Sequence, residues 1–417
     1  MNTLIRFFLA FSVLFLLGSS RSFAQLSMAE FLLSVKSDFD LTSFEEQIRY
    51  LDNKPYRLSP LQKVEFRTKN NQLDPSRQDY GLRFTPANPW ELKNNNLYFK
   101  QYRSVLSLEK ELAFKDALII RYNLIISMLY YSEIKAIKEE DRRLINAQVS
   151  ILEKQRHSDF FNAEDYIELK LDQMDKTVEF EEATFELDNQ LRKMVGVYPA
   201  AGQKQIDWRY ENILSIERLE NVVDSLFGLS STPVTLTYRD NQIDLANREY
   251  QLEKSNINVG FLQTQYEEYR TEQDRKPWSI SLGVTIPITN PNKGDMTKRK
   301  LEVIEAQHER DETNAELETN KIVTHEQLKS LLARYRDIHE KIMALNTGTL
   351  SSTLNAIKDD NPMATVRFNG NLLKLKSIEA KLKQSILITY IQFLGYTDMI
   401  QQQPLINYLS EELDTLG

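Results

Sequence analysis

The chain contains no cysteine, which excludes disulfides, thiolate metal sites, cysteine nucleophiles and a lipidated N-terminal cysteine. Glycine and proline are scarce, twelve of each in 417 residues, and neither occurs between Trp90 and Val195. Nothing in that stretch forces the backbone out of helix. No glycine-rich phosphate loop or nucleophile elbow is present. The four histidines, His157, His308, His325 and His339, lack the His-x-x-x-His spacing of a zinc site. Past the N-terminal segment, no apolar run reaches the roughly 18 residues that a spanning helix needs. The richest, Ala117 to Tyr131, is interrupted by Arg121 and Asn123 and reads as a buried helix-packing stretch.

Basic blocks are missing too. Acidic residues outnumber basic ones 60 to 52, and the nearest basic cluster, Lys298-Arg299-Lys300, reads as a solvated face at a helix start. Nucleic-acid binding, which needs a concentrated Lys/Arg surface, is excluded. Acidic pairs such as Glu181-Glu182 and Asp359-Asp360 are common, but neighbours on a helix diverge by about 100° and do not converge on one substrate. The reading is therefore not an enzyme, with no catalytic, cofactor or metal site.

The first segment is expected to be removed. Arg6, the apolar run from Phe7 to Leu17 and Ser22-Phe23-Ala24 before Gln25 make residues 1–24 a signal peptide, so the mature chain leaves the cytoplasm.

What the chain does have is self-similarity. Phe84-Thr85-Pro86-Ala87-Asn88-Pro89 recurs as Thr285-Ile286-Pro287-Ile288-Thr289-Asn290-Pro291, and Met194-Val195-Gly196 recurs as Phe393-Leu394-Gly395. A pattern repeated at this distance is the mark of a duplicated structural unit. The expected organisation is a first repeat over 25–200 and a second over 232–417, joined by a connector at 201–231. In the first repeat a β-hairpin covers about 61–89 and a helical hairpin about 90–196. In the second a β-hairpin covers about 259–291, a helical hairpin about 292–395 and a tail 396–417.

Apolar residues at three-four spacing, Leu118, Tyr122, Ile125, Leu129, then Ile145, Val149 and Leu152, predict an ascending helix of about 65 residues, roughly 100 Å long. The break falls at Arg156 to Asp165, where Ser158, Asp159 and Asn162 are natural caps. In the second repeat Leu328, Leu331, Tyr335, Ile338, Ile342 and Leu345 form a seam on a helix from Lys293 to about Ile357. A turn at Lys358 to Pro362 follows, with Pro362 in the first turn of the returning helix.

The strands discriminate between architectures. Trp278, Ile280, Leu282, Val284, Ile286 and Ile288 alternate with small or polar residues, as do Tyr80, Leu82 and Phe84, Val64 and Phe66, and Leu262 and Tyr266. Leu61 to Lys69 and Tyr80 to Pro86 read as short against the roughly 9 to 11 residues of a spanning strand. Four strands with one lipid-facing side cannot close a barrel alone, since the smallest membrane barrels have about eight, whereas three chains supply about twelve. The lipid-facing candidates are Tyr80, Leu82, Phe84, Trp278, Ile280, Leu282, Val284 and Ile286.

In the order and spacing of these parts the chain resembles the TolC family of outer-membrane efflux ducts. The resemblance rests on Leu26-Ser27-Met28-Ala29-Glu30-Phe31-Leu32, on Val284-Thr285-Ile286-Pro287-Ile288, and on the Arg156 to Asp165 turn before a helix closing at Val195-Gly196. It implies a mainly α fold with a small β part. Duplicated long helical hairpins build a coiled-coil tunnel, and two β-hairpins contribute four strands to a trimeric twelve-strand barrel in outer-membrane lipid. It further implies a passive duct of a tripartite efflux or type I secretion system, docked by its helical tips to a periplasmic adaptor and an inner-membrane transporter. Carried onto this sequence, the tip and gating candidates are Asp165, Asp359, Asp360 and Arg367, the last standing where the family often has an acidic residue. Asp359 and Asp360 equally suit simple helix capping. The alternative function is a periplasmic coiled-coil scaffold or adaptor-type binding protein.

Overall fold

A computed structural model describes residues 25–70, 78–154, 156, 161–228, 233–267, 277–286, 292–347 and 362–416. The signal-peptide segment and the Lys358–Asn361 part of the second turn lie outside them. The elements in chain order are α1 (Met28–Leu33), α2 (Phe39–Asp52), β1 (Leu61–Asn70), β2 (Gln78–Pro86), α3 (Pro89–Lys154), α4 (Ala163–Val197), α5 (Ile216–Phe227), α6 (Val234–Ser255), β3 (Gly260–Glu267), β4 (Trp278–Val284), α7 (Lys293–Thr347) and α8 (Pro362–Tyr396). A helix, two strands, a long helix and a returning helix thus occur twice in succession.

The long helices start and stop where local chemistry dictates. Pro89 opens α3 after Asn88, whose Oδ1 accepts from the Trp90 N–H at 3.0 Å. With no helix breaker behind it, α3 continues for 66 residues. Asn162 caps α4, its side chain accepting from the Glu164 N–H at 2.9 Å, and Glu164 and Asp165 add negative charge in the first turn. Pro362 opens α8 as its first residue. The expected continuation of α7 to about Ile357 lies outside the described residues.

The chain divides into two compact units. The first comprises the described parts of Met1–Asp38, Asp116–Leu229 and Val323–Gly417. Its interior is apolar: Phe31, Leu118, Tyr122, Ile125, Ile126, Leu129, Met194, Leu219, Leu328, Ile386, Phe393 and Leu394 are all buried. The Ala117 to Tyr131 stretch is the buried packing segment expected from its sequence. Tyr122 donates from its hydroxyl to the Ile406 carbonyl at 2.9 Å and accepts from the Tyr408 N–H at 3.2 Å, so the C-terminal tail is bound into this core. Buried Arg121 donates to Asp38 at 3.0 Å, to the Ser34 hydroxyl at 3.1 Å and to the Ala117 carbonyl at 3.0 Å. Of the expected α7 seam, Leu328, Tyr335 and Ile342 are buried, whereas Leu331, Ile338 and Leu345 are half-buried. Leu332 is buried and Leu331 only half-buried, because Leu328, Leu332 and Tyr335 follow a four-then-three step on the inner face.

The second unit holds Phe39–Lys115 and Ser230–Ile322, with few buried apolar side chains, among them Leu41, Val105, Leu106, Leu236 and Val303. Its helices are laced by polar contacts: Arg103 to Asp52, Lys110 to Glu45 at 2.7 Å, Arg239 to Glu309 at 2.7 Å and Arg310 to Asp240 at 3.1 Å. Surface pairs of this kind contribute little to stability because solvent screens them. Asn88 ties the end of the first hairpin to the segment before β3, donating to the Ser255 carbonyl at 2.7 Å.

Candidate functional site

The four strands form one antiparallel sheet in the order β1-β2-β3-β4. Two strand lengths correct the sequence reading. β1 has 10 residues and β2 has 9, because Asn70 and Gln78 still pair and close the ladder beyond the alternating apolar positions. Both therefore match the roughly 9 to 11 residues of a spanning strand. β4 ends at Val284, earlier than the alternation suggested. The Thr285 N–H still reaches the Val259 carbonyl at 3.2 Å, but Pro287 has no N–H to extend the ladder. Ile286 consequently lies beyond the strand, exposed.

Register puts matching residues side by side. Val64, Phe84, Leu262 and Leu282 form one row; Phe66, Leu82, Thr264 and Ile280 the next; Thr68, Tyr80, Tyr266 and Trp278 the third. Side chains alternate between faces, so these three rows share one face. It is apolar, ends in an aromatic row, and is uncovered: Phe66, Trp278, Ile280, Leu282 and Val284 are all well exposed. Of the strand candidates, Tyr80, Leu82, Phe84, Trp278, Ile280 and Leu282 fall in these rows, and Val284, opposite Gly260, follows them on β4.

The opposite face is polar. Glu65, Arg83, Gln263 and Ser281 form one row, and Arg67, Gly81, Gln265 and Ser279 another, with Lys63 and Lys69 further along β1. Its geometry depends on two glycines. Gly260 adopts φ +132°, where a Cβ would lie 2.0 Å from the Gly283 carbonyl oxygen, and a Cβ on Gly283 would lie 2.3 Å from the Phe261 ring. Phe261 therefore lies over the backbone of its cross-strand partner Gly283. Sequence reasoning missed Phe261, Gly260 and Gly283, since only the register brings them together. β1 and β4 are the sheet's edges, and neither has a strand partner on its outer side among the described residues.

The turn between α3 and α4 is joined by side chains. Lys170 pairs with Glu153 at 2.9 Å and Tyr166 donates to the same carboxylate at 3.1 Å, which lowers the pKa of Glu153 from its ordinary value. Asp165 is exposed in the first turn of α4, and Arg367 is exposed near the start of α8. Asp359 and Asp360 lie outside the described residues. Among the described residues no cluster suits a metal ion, and no helix is long and apolar enough to cross a membrane.

No family model and no curated protein matches the sequence. Solved structures do match. The chain superposes on the CmeC outer membrane channel of Campylobacter jejuni with a TM-score of 0.67 at 10% identity, covering 92% of this chain and 86% of that one. The fold is that of the TolC-family outer-membrane channels. The open-state MtrE outer membrane channel of Neisseria gonorrhoeae gives a TM-score of 0.64 at 7% identity, covering 94% of this chain and 92% of that chain. The outer membrane protein VceC of Vibrio cholerae gives 0.63 at 10% identity, covering 89% and 95%. The TolC-type fold thus spans nearly the whole chain, while almost no residue identity accompanies it.

Proposed function

We propose that the protein is an outer-membrane channel that assembles as a homotrimer and extends into the periplasm as a helical duct. The observation that carries this is the sheet: one face apolar and uncovered, the other polar, and two edges left open. Three such sheets joined β4 to β1 give about twelve strands, above the roughly eight of the smallest membrane barrels. Closure satisfies the edges, and lipid covers the apolar rows, as an amphipathic barrel requires. Tyr80, Leu82, Phe84, Trp278, Ile280, Leu282, Val284 and, just past the strand, Ile286 then meet lipid, with Tyr80, Tyr266, Trp278 and Tyr269, the last outside the described residues, as an interfacial girdle.

The helical pairs α3–α4 and α7–α8 form the duct, the product of a duplicated hairpin unit, and solutes pass through it without chemistry on the chain. Their turns, near Asp165 and near Asp359, Asp360 and Arg367, dock an adaptor and an inner-membrane transporter. Like charges crowd there in a trimer and bind or repel cations. The deciding experiment is size measurement in mild detergent followed by planar-bilayer conductance. A trimer that conducts supports the duct; a monomer soluble in plain buffer refutes it in favour of a periplasmic scaffold. At the tips, Asp359→Asn with Asp360→Asn keeps capping and removes charge. Reduced block by multivalent cations is expected, and unchanged block assigns both residues to capping.

A further inference from the structure

Among the described residues the polar face of the sheet holds more cation than its carboxylates neutralise, and one of those cations is built into place. Glu65 is the carboxylate nearest the centre of this face, and it is already shared by Lys63 at 2.5 Å and Arg67 at 2.8 Å. Arg83, directly opposite Glu65 in the register, is left to a different partner. Its guanidinium lies 3.6 Å above the centroid of the Phe261 ring, and its Nε is buried without a hydrogen-bond partner. The Phe261 ring in turn lies over the backbone of Gly283, in the space that any side chain at position 283 would need.

The result is a stack of strand backbone, aromatic ring and guanidinium. A guanidinium held over a ring face is oriented and partly dehydrated without being neutralised, and its outward N–H groups remain available for a two-pronged bond to an oxyanion. Beside it, Lys63 and Arg67 carry one charge more than Glu65 cancels, and an open groove of about 460 Å³ is lined by these three residues together with Arg83 and Asn258. The carboxylates Asp79 and Glu267 stand in a separate row next to Lys69, toward the hairpin ends.

We infer that the Arg83–Phe261 stack, with Lys63 and Arg67 beside it, is an oxyanion-binding station on the channel wall that favours solutes bearing carboxylate or phosphate groups. This rests on the channel reading above, which places the polar face in the lumen and brings three copies of the stack around it.

The test uses the full trimer in a planar bilayer with inorganic tripolyphosphate as the probe. Tripolyphosphate is expected to block the parent channel, and Arg83→Gln to weaken that block by about tenfold or more, as loss of a two-pronged charged contact requires. Phe261→Leu, which keeps the charge but frees the guanidinium, is expected to fall between. Lys69→Gln is expected to leave the block at the parent level. An unchanged block in Arg83→Gln channels overturns the station while leaving the duct intact, and a parent chain that forms no channel overturns the duct and the station together. If Arg83→Gln does not assemble, Arg83→Lys decides, since it keeps the charge without the planar fork: weaker block supports the station and equal block overturns it.

Discussion

Leucines on the two units are treated in opposite ways. In the unit built from Asp116–Leu229 and Val323–Gly417, Leu118 is 1% exposed. In the sheet of the other unit, Leu282 is 75% exposed, as is Ile280. A buried leucine side chain stabilises a fold by about 1.5–3 kcal/mol relative to leaving it in water, so a row of apolar strand residues left uncovered is a large deficit unless the surrounding medium is not water. The first unit completes its core from its own chain. On the channel reading proposed above, the second is finished by lipid together with two further copies, which supply the apolar medium and the missing strand partners.

The sharpest way to break this comparison is to truncate the same kind of residue in both places. Leu118→Ala is expected to cost about 3 kcal/mol, since it opens a cavity in a fully packed core. Leu282→Ala is expected to shift the thermal unfolding midpoint of the detergent-solubilised protein far less. Equal shifts from the two substitutions contradict the view that β4 is covered by a fluid medium.

Charge inverts the ranking on the sheet. Leu282→Arg is expected to cost about 2–4 kcal/mol of barrel stability if its row lies near the bilayer midplane, whereas Ser281→Arg on the polar face costs about 1 kcal/mol or less. Assembly of trimer in the outer-membrane fraction reads the difference. Indifference to both removes the sheet from the membrane. Gly283 is not a usable control, because any side chain there meets the Phe261 ring.

How far the sequence predicts this structure also differs between the two regions. The helices are legible because their signal is long and redundant: absence of Gly and Pro over a hundred residues, three-four apolar spacing, Asn162 before α4 and Pro362 opening α8. The seam position read as Leu331 in place of the buried Leu332 reflects two adjacent leucines that periodicity separates by only one step. The strands are short, so their alternation was visible but their ends were not. Asn70 and Gln78 carry no apolar signal and are strand only because their backbones pair. The Arg83–Phe261–Gly283 stack had no local signature. It exists through the register between β2, β3 and β4, which no single segment encodes. Helices α2, α5 and α6 went unread because they are short beside the long hairpins, although α5 carries buried Leu219 and Val223 on one face.

A smaller effect tests whether the turn between α3 and α4 is held by its own capping chemistry. Asn162→Ala removes the acceptor for the Glu164 N–H and is expected to cost about 1 kcal/mol, while Asn162→Ser costs a few tenths. Protease sensitivity of this turn, compared between the two variants in the assembled protein, reads the difference. Equal sensitivity assigns the stability of this end to the Tyr166 and Lys170 contacts with Glu153.

The smallest expected effect lies inside the first unit and depends on pH. Burial raises the pKa of Glu133 above its ordinary 4.5, with Glu379 adding to the rise and Lys383, 4.0 Å away, and Lys376 opposing it. Its Oε2 is buried without a hydrogen-bond partner, as is the hydroxyl of Tyr210, which burial pushes above its ordinary value. A carboxyl whose folded pKa is raised binds its proton more tightly in the native state than in the unfolded chain. The charged form therefore costs stability at neutral pH, and that cost is relieved as pH falls through the folded value toward 4.5. Glu133→Gln is accordingly expected to be slightly more stable than the parent at pH 7 and to lose that advantage below about pH 4.5. The measurement is the difference in unfolding midpoint between the two proteins across that range. A difference that stays constant with pH, or favours the parent at neutral pH, shows that the Lys383 contact outweighs desolvation and that this buried carboxylate is part of the self-sufficient core.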